Sequence, residues 1–354
     1  MSKLFNPISI KGVTLKNRII VSPMCQYSAV DGVANDWHLV HLGGFAVGGA
    51  ALVLVEATGV SPEARISSSD LGLWKDEQIE KLAQINAFVK QQGAIPGIQL
   101  AHAGRKASTM VPWEGHVEVT PENGGWQTVA PSAVPYANDY PKPIALDVEG
   151  IQKVIADFTS ATERALKAGF EVIEIHASHG YLLHQFLSPL SNHRSDAYGG
   201  SFENRIRLLL EIVESVQAVL PTETPLFVRM PGTDWAEGGW TPEDASALAQ
   251  ILKDKGVDVM DVTSGGLVRH QKIAIGPAYQ TPFAAKVKRE TGALTSTAGL
   301  ITNAVQAESI LVNEEADLIM IARELLRDPH FPLRAARDLK VNIDWPVQYE
   351  RAQW

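Results

Sequence analysis

Eight short apolar runs, each separated from the next by enough chain for a helix, constrain this fold more than any other feature. They are "RIIVSPM" (18–24), "ALVLVEAT" (51–58), "IPGIQLAHAG" (95–104), "FEVIEIHAS" (170–178), "PLFVRMP" (225–231), "VDVMDVTSGG" (257–266), "ALTSTAGL" (293–300) and "ADLIMIAREL" (316–325). Most are nearly continuous in apolar residues, the mark of parallel strands covered on both faces. Helical patterns fill the gaps. "DEQIEKLAQINAFVKQQG" (76–93) repeats Ile79, Leu82, Ile85, Phe88 and Val89, then stops at a glycine. Residues 151–169 and 203–220 behave alike, and 241–256 opens with Thr241, Pro242 and Glu243, an N-cap pattern. This alternation predicts an α/β chain folded as a (β/α)8 barrel. A doubly wound sheet is the alternative. With a dinucleotide it needs a glycine fingerprint after the first strand, and none follows "RIIVSPM". "GGFAVGG" (43–49) falls late in a helical stretch and reads as close helix packing.

Three segments lie outside the repeat. Residues 4–17 read as a hairpin turning at Lys11-Gly12 and closing the barrel floor. Residues 105–148 are rich in Pro, Gly and Trp without helical period, and a loop this long in a compact domain is usually functional or disordered. Trp113, Trp126, Tyr136 and Tyr140 make it an expected ordered cap after strand three. Residues 340–354 form a C-terminal tail, so one barrel domain is expected across 1–354.

Composition narrows the function. The 354 residues are 45% hydrophobic and carry a formal charge of −9 with no basic run, which disfavours nucleic acid. A lone cysteine, Cys25, allows no intrachain disulfide and fits a cytosolic enzyme. No apolar run approaches a membrane span, and the N-terminus has no signal-peptide core. A cytoplasmic protein is expected.

Barrel active sites form where strands end. Strand one delivers Ser22, Pro23, Met24 and Cys25, with Tyr27 beyond. Strand two gives Glu56, Ala57 and Thr58, and strand three gives Gln99, His102 and Arg105-Lys106. Strand four gives His176, His179 and Tyr181, and strand five gives Arg229. Ser264-Gly265-Gly266, Ala298-Gly299 and Ala322-Arg323 follow strands six, seven and eight. Two histidines and a tyrosine within six positions suit a metal site, a proton-handling site or a polar loop. A hydrolytic metal site wants carboxylates beside the histidines, and this inventory is poor in them. Glycines after strands six and seven, with Arg323 after strand eight, suit a phosphate held by amides and a guanidinium. Gln99 and Arg229 then face the polar edge of a planar cofactor.

"SPMCQYSAVDG", "QLAHAGRKA", "HASHGYLLHQFLSPLSNHRSDAYGGSFENR" and "IARELLRDP" resemble the Old Yellow Enzyme family of flavin-dependent ene-reductases. These motifs run from residue 22 to residue 329; Cys25 and the terminal "QYERA" resemble its thermophilic-like subgroup. The resemblance implies a (β/α)8 barrel holding FMN noncovalently, reduced by NADPH or NADH, and handing hydride to an activated alkene. It implies isoalloxazine contacts from Ser22, Pro23, Met24, Cys25, Ala57, Gln99 and Arg229, with Cys25 tuning the flavin. Gly266, Gly299, Ala322 and Arg323 match the phosphate region, where alanine at 322 replaces the commoner glycine. His176 and His179 match the pair that binds the substrate oxygen, Tyr181 the proton donor and Tyr27 a substrate-orienting ring. The tail, with Tyr349, Arg351 and Trp354, resembles an arginine finger that enters a partner's pocket. That implies a homodimer, or a dimer of dimers, sharing Arg351. Two other readings are another FMN barrel oxidoreductase, reducing nitro esters or dienoyl thioesters, and a barrel that binds a ligand without turnover.

Overall fold

The computed structural model describes residues 2–115 and 117–353; Trp354 of the tail lies outside the described residues. Among these residues, eight parallel strands close into a barrel in chain order. They are β1 (Ile19–Val21), β2 (Leu52–Gly59), β3 (Ile95–Ala101), β4 (Val172–His176), β5 (Leu226–Pro231), β6 (Val259–Thr263), β7 (Leu294–Thr297) and β8 (Leu318–Ile321). Pairing of Ile319 with Ile19 and Met320 with Ile20 joins β8 to β1. Each strand lies inside one of the eight runs or within a residue of it. The runs overshoot at their C-terminal ends, where Gly265, Gly266 and Gly299 take positive φ and carry the chain out of the sheet, as His179 does one residue past the fourth run. After β8, Ala322 turns at φ −108 and ψ −96, and Arg323–Arg327 form a short helix instead of more strand.

The outer helices are α1 (Asp36–Val47), α2 (Ile79–Gln91), α3 (Val148–Lys167), α4 (Phe202–Val219), α5 (Pro242–Asp254), α6 (Thr281–Thr291), α7 (Ala304–Val312) and α8 (Phe331–Asp338). Asn35, Asp147, Ser201, Thr241 and Asn303 cap five of them through their side chains. The glycine-rich stretch lies in α1, and a Cβ on Gly43 would fall 2.8 Å from the Phe88 ring of α2. Close helix packing, and no dinucleotide loop, accounts for it.

Ile8–Ile10 and Val13–Leu15 form the antiparallel hairpin expected near the N-terminus. Ile10, Val13 and Leu15 cluster with Leu52, Leu54, Val172, Phe227, Val259 and Leu318. That plugs the mouth where the strands begin with hydrocarbon, leaving the opposite mouth for polar groups. Between β3 and α3 the chain makes short turns and a two-residue parallel pairing of Val129–Ala130 with Ile144–Ala145. Trp126 Nε1 donates to the Glu63 carbonyl at 2.9 Å, and the Arg65 guanidinium lies 5.0 Å from both Trp74 and Trp126. The long segment is thereby fastened to the loop after β2. No helix among the described residues is long and apolar enough to cross a membrane.

Candidate active site

The turn after β4 carries the histidine pair. The Ser178 N–H donates to His176 Nδ1 at 3.3 Å, which leaves the ring proton on Nε2. The ring of His179 stands edge-on to that of His176 at 5.2 Å, and the ring of Tyr181 at 5.1 Å. Burial pushes both histidines well below the ordinary histidine range, with neighbouring charges from Arg229 and Lys106 acting the same way. At neutral pH both rings are neutral donors. Burial pushes the Tyr181 phenol well above its usual range, so it keeps its proton.

This geometry is held from behind. His179 has φ +56 and Gly180 φ +75, two successive left-handed residues. A Cβ on Gly180 would fall 2.1 Å from the Gly266 carbonyl, so only glycine fits. The Gly180 N–H donates to His184 Nδ1 at 2.9 Å, and His184 Nε2 faces Asp234 at 2.7 Å. Ser188 donates to the same carboxylate at 2.6 Å.

Below the histidines the barrel interior is a ring of polar side chains. Gln99 donates to Glu174 at 2.7 Å; Arg229 Nε bonds Asp261 and lies 3.7 Å from Glu174. Arg229 Nη2 donates to Ser22 at 3.1 Å, and Ser296 to Asp261 at 2.6 Å. One guanidinium thus faces two fully buried carboxyls. Burial pushes Glu174 up to about 8, so it holds its proton at neutral pH, and its Oε2 has no partner among the described residues. The remaining pair, Arg229 and Asp261, is neutral overall. Gln99 Oε1 and Arg229 Nη1 are left without protein partners among the described residues. His176 pairs with Arg229 in the β4–β5 register, so both sets share one mouth.

The loop after β1 lines the same mouth. The Gln26 N–H donates to Glu56 at 2.9 Å and Trp37 Nε1 to the Gln26 side chain at 3.1 Å, fixing the chain between Cys25 and Tyr27. Cys25 packs with Tyr181 against Ile66, Ala103 and Ala107. Burial, then Asp70 and Glu56, push its thiol well up, the opposite of an activated nucleophile. Tyr27 has φ +50, and its ring meets Trp113 edge-on at 5.8 Å. Ser22 and Ala57 are buried; Pro23 and Met24 are half-buried.

On the β7–β8 side, the N–H groups of Gly299, Leu300 and Ala322 donate to no protein acceptor among the described residues. Arg323 is exposed and also without a hydrogen-bonded partner there. Those unspent donors fit an anionic group. Gly266 is placed differently: its N–H donates to Gln271 at 2.6 Å, and its carbonyl accepts from Lys106. Its backbone lies against that of His179. Arg351 lies in the exposed turn Val347–Ala352 and makes no hydrogen bond or ion pair among the described residues. The Tyr349 ring beside it packs on His330 at 5.7 Å, which places this turn outside α8.

Sequence reasoning gave no role to Asp261 or to the His184–Asp234 pair; it placed Lys106 at the end of strand three and weighed Glu174 only as a metal ligand, without their partners here. Lys106 Nζ donates to the carbonyls of His179 at 2.8 Å and Gly266 at 2.9 Å. It also lies 4.8 Å from the Tyr136 ring and 5.1 Å from the Tyr181 ring. Burial and then Arg105 draw it down to about 7.

Residues 3–342 match the NADH:flavin oxidoreductase / NADH oxidase family. A protein named NADPH dehydrogenase from Listeria innocua serovar 6a is 49% identical over 354 residues, covering 99% of each chain. One of the same name from Bacillus pumilus is 47% identical over 353 residues, again 99% of each. Among solved structures, morphinone reductase in complex with tetrahydroNAD superposes with a TM-score of 0.81 at 26% identity. The match covers 98% of this chain and 93% of that one.

Proposed function

The chain belongs to the NADH:flavin oxidoreductase / NADH oxidase family, the Old Yellow Enzyme type of flavoenzyme, and from that premise we infer that it is an FMN-dependent ene-reductase. When bound, FMN accepts hydride from NADPH or NADH and supplies it from N5 to the β-carbon of an α,β-unsaturated carbonyl or nitro compound. The observation that carries this reading is the meeting of His176, His179 and Tyr181 with Gln99 and Arg229 at one mouth.

Ser22, Pro23, Met24, Cys25, Ala57, Gln99 and Arg229 would hold the isoalloxazine. The open Oε1 of Gln99 and Nη1 of Arg229 suit its polar edge, and a guanidinium there favours negative charge on the ring. Gly299, Ala322 and Arg323 would hold the phosphate. Gly266 belongs to this set only if its N–H exchanges Gln271 for phosphate. His176 and His179 donate to the substrate oxygen and draw electron density from the β-carbon, while Tyr27 orients the molecule. Because both imidazoles are neutral, they polarise that oxygen without giving up a proton. Tyr181 supplies the proton to the α-carbon.

Purified protein should be yellow, and denaturation should release one FMN per chain without covalent residue. Release of FAD, or failure of apoprotein to take up FMN, would overturn the cofactor assignment.

The resemblance of the tail supports a homodimer in which Arg351 completes the partner's pocket. In its own chain this side chain is exposed and its turn packs outside α8. Mixed dimers of Arg351→Ala chains with His176→Ala/His179→Ala chains should be more active than either parent. Each then has one pocket with every group intact. No recovery, in dimers shown to have exchanged subunits, removes the shared pocket.

A further inference from the structure

The His179–Gly180 peptide is gripped at both ends. Its carbonyl accepts from Lys106 Nζ at 2.8 Å, and its N–H donates to His184 Nδ1 at 2.9 Å. The next carbonyl, that of Gly180, accepts from Gln185 Nε2 at 2.8 Å. This peptide joins two residues of positive φ, and His179 is not glycine. A left-handed non-glycine residue persists only where its surroundings over-determine it. His184 and Gln185 both belong to the short helix Leu182–Leu187, which follows Tyr181 directly. His184 is tied in turn to Asp234 after β5, and Gln185 to the Ala103 carbonyl after β3. Among the described residues, Lys106 is the side chain from outside this segment that bonds the His179–Gly180 peptide directly.

The lysine's other contacts suit that role. Its second hydrogen bond goes to the Gly266 carbonyl after β6, so one amino group ties the turns after β3, β4 and β6 together. The rings of Tyr136 and Tyr181 face it at 4.8 and 5.1 Å, accepting the positive charge on their π faces. No carboxylate forms an ion pair with it among the described residues. A half-buried lysine spent on two carbonyls and two aromatic faces has no evident duty as a surface charge. An uncharged side chain of similar length would fill the same volume without gripping either carbonyl.

We propose that Lys106 is the positioning residue for His179, acting through the His179 carbonyl to keep the imidazole aimed at the substrate oxygen. The proposal rests on the ene-reductase reading for the identity of that oxygen. It does not make Lys106 a group that touches substrate.

The test is a double-mutant cycle on the FMN-loaded enzyme, with p-hydroxybenzaldehyde as the probe and affinity read from the flavin spectrum. Displacing a donor by about 1 Å can cost on the order of a hundredfold, so Lys106→Met should weaken binding roughly tenfold or more. Lys106→Arg, which keeps a charged donor, should recover most of that loss. In a His179→Ala background Lys106→Met should change affinity by less than twofold, because the residue it acts through is gone. Equal losses with and without His179 overturn the proposal, since Lys106 would then act independently. Amide exchange at Gly180, which needs no ligand, should be faster in Lys106→Met than in Lys106→Arg. Unchanged exchange in both would also overturn it. Unsubstituted holoenzyme that fails to bind the probe while Gly180 responds as stated would instead remove the ene-reductase reading, and with it the substrate oxygen His179 is said to face.

Discussion

Tyr181→Phe should slow alkene reduction by about a hundredfold to ten-thousandfold, the range lost with a positioned general acid. Reduction of the flavin by NADPH should stay within a small factor of normal. The two half-reactions differ in what they need. Only alkene reduction requires a proton at carbon, and the Tyr181 phenol keeps its proton while its ring stands against that of His176. Burial keeps that proton on oxygen at neutral pH, which leaves it available to the α-carbon on the ene-reductase reading. Phenylalanine preserves the ring that packs with Cys25 against Ala103 and Ala107, so folding should be little affected. Anaerobic stopped-flow measurement, with NADPH in one experiment and cyclohexenone in the other, separates the steps. Equal slowing of both would mean that Tyr181 supports the site as a whole. Normal alkene reduction would mean that another acid protonates the α-carbon.

The second large effect is on folding and flavin retention together. Arg229→Met removes the cation that bonds Asp261 and lies 3.7 Å from Glu174, inside a barrel where all three are buried. Breaking a buried pair by deleting one partner costs about 3–5 kcal/mol, because the other charge stays desolvated. Methionine fills much of the space, so the loss is chiefly electrostatic. The same change deletes the guanidinium assigned to the flavin's polar edge. The variant should therefore denature well below the unsubstituted protein and purify with little FMN. Glu174→Gln provides the contrast. Its carboxyl already holds a proton at neutral pH, so an amide of the same shape should be tolerated. An Arg229→Met protein with full FMN and an unchanged midpoint would contradict both roles.

Much of the barrel was legible because its strands are buried on both faces and read as unbroken apolar runs. The strand ends were less legible. "HASHGYL" reads as continued strand until His179 and Gly180 turn to positive φ, and nothing in composition announces a left-handed histidine. His176, His179 and Tyr181 were readable as a group because they lie within one turn. Glu174 and Asp261 were hidden by the fold itself. A carboxylate in a strand normally marks the solvent face, yet these two point into the barrel, where Gln99, Arg229 and Ser296 receive them. Lys106 was harder still. Its partners are backbone carbonyls 73 and 160 positions away, and a carbonyl carries no residue identity. Gly266 drew attention as a glycine after a strand, where the reading was an amide for phosphate. Its lack of a Cβ also serves the close approach to His179, where an added methyl would fall 2.7 Å from the carbonyl oxygen.

The central claim is that hydride passes from nicotinamide to an alkene carbon at the mouth where the histidine pair and Tyr181 meet. The most direct measurement uses NADPH deuterated at the transferring position of C4, cyclohexenone and anaerobic holoenzyme, with the label in the product located by NMR. The account predicts cyclohexanone carrying one deuterium at the β-carbon. In deuterated water with unlabelled NADPH, the label should appear at the α-carbon, and Tyr181→Phe should suppress product formation in both experiments. Reduction at the carbonyl to an allylic alcohol, deuterium at the α-carbon from labelled NADPH, or NADPH consumption with the alkene untouched would contradict it.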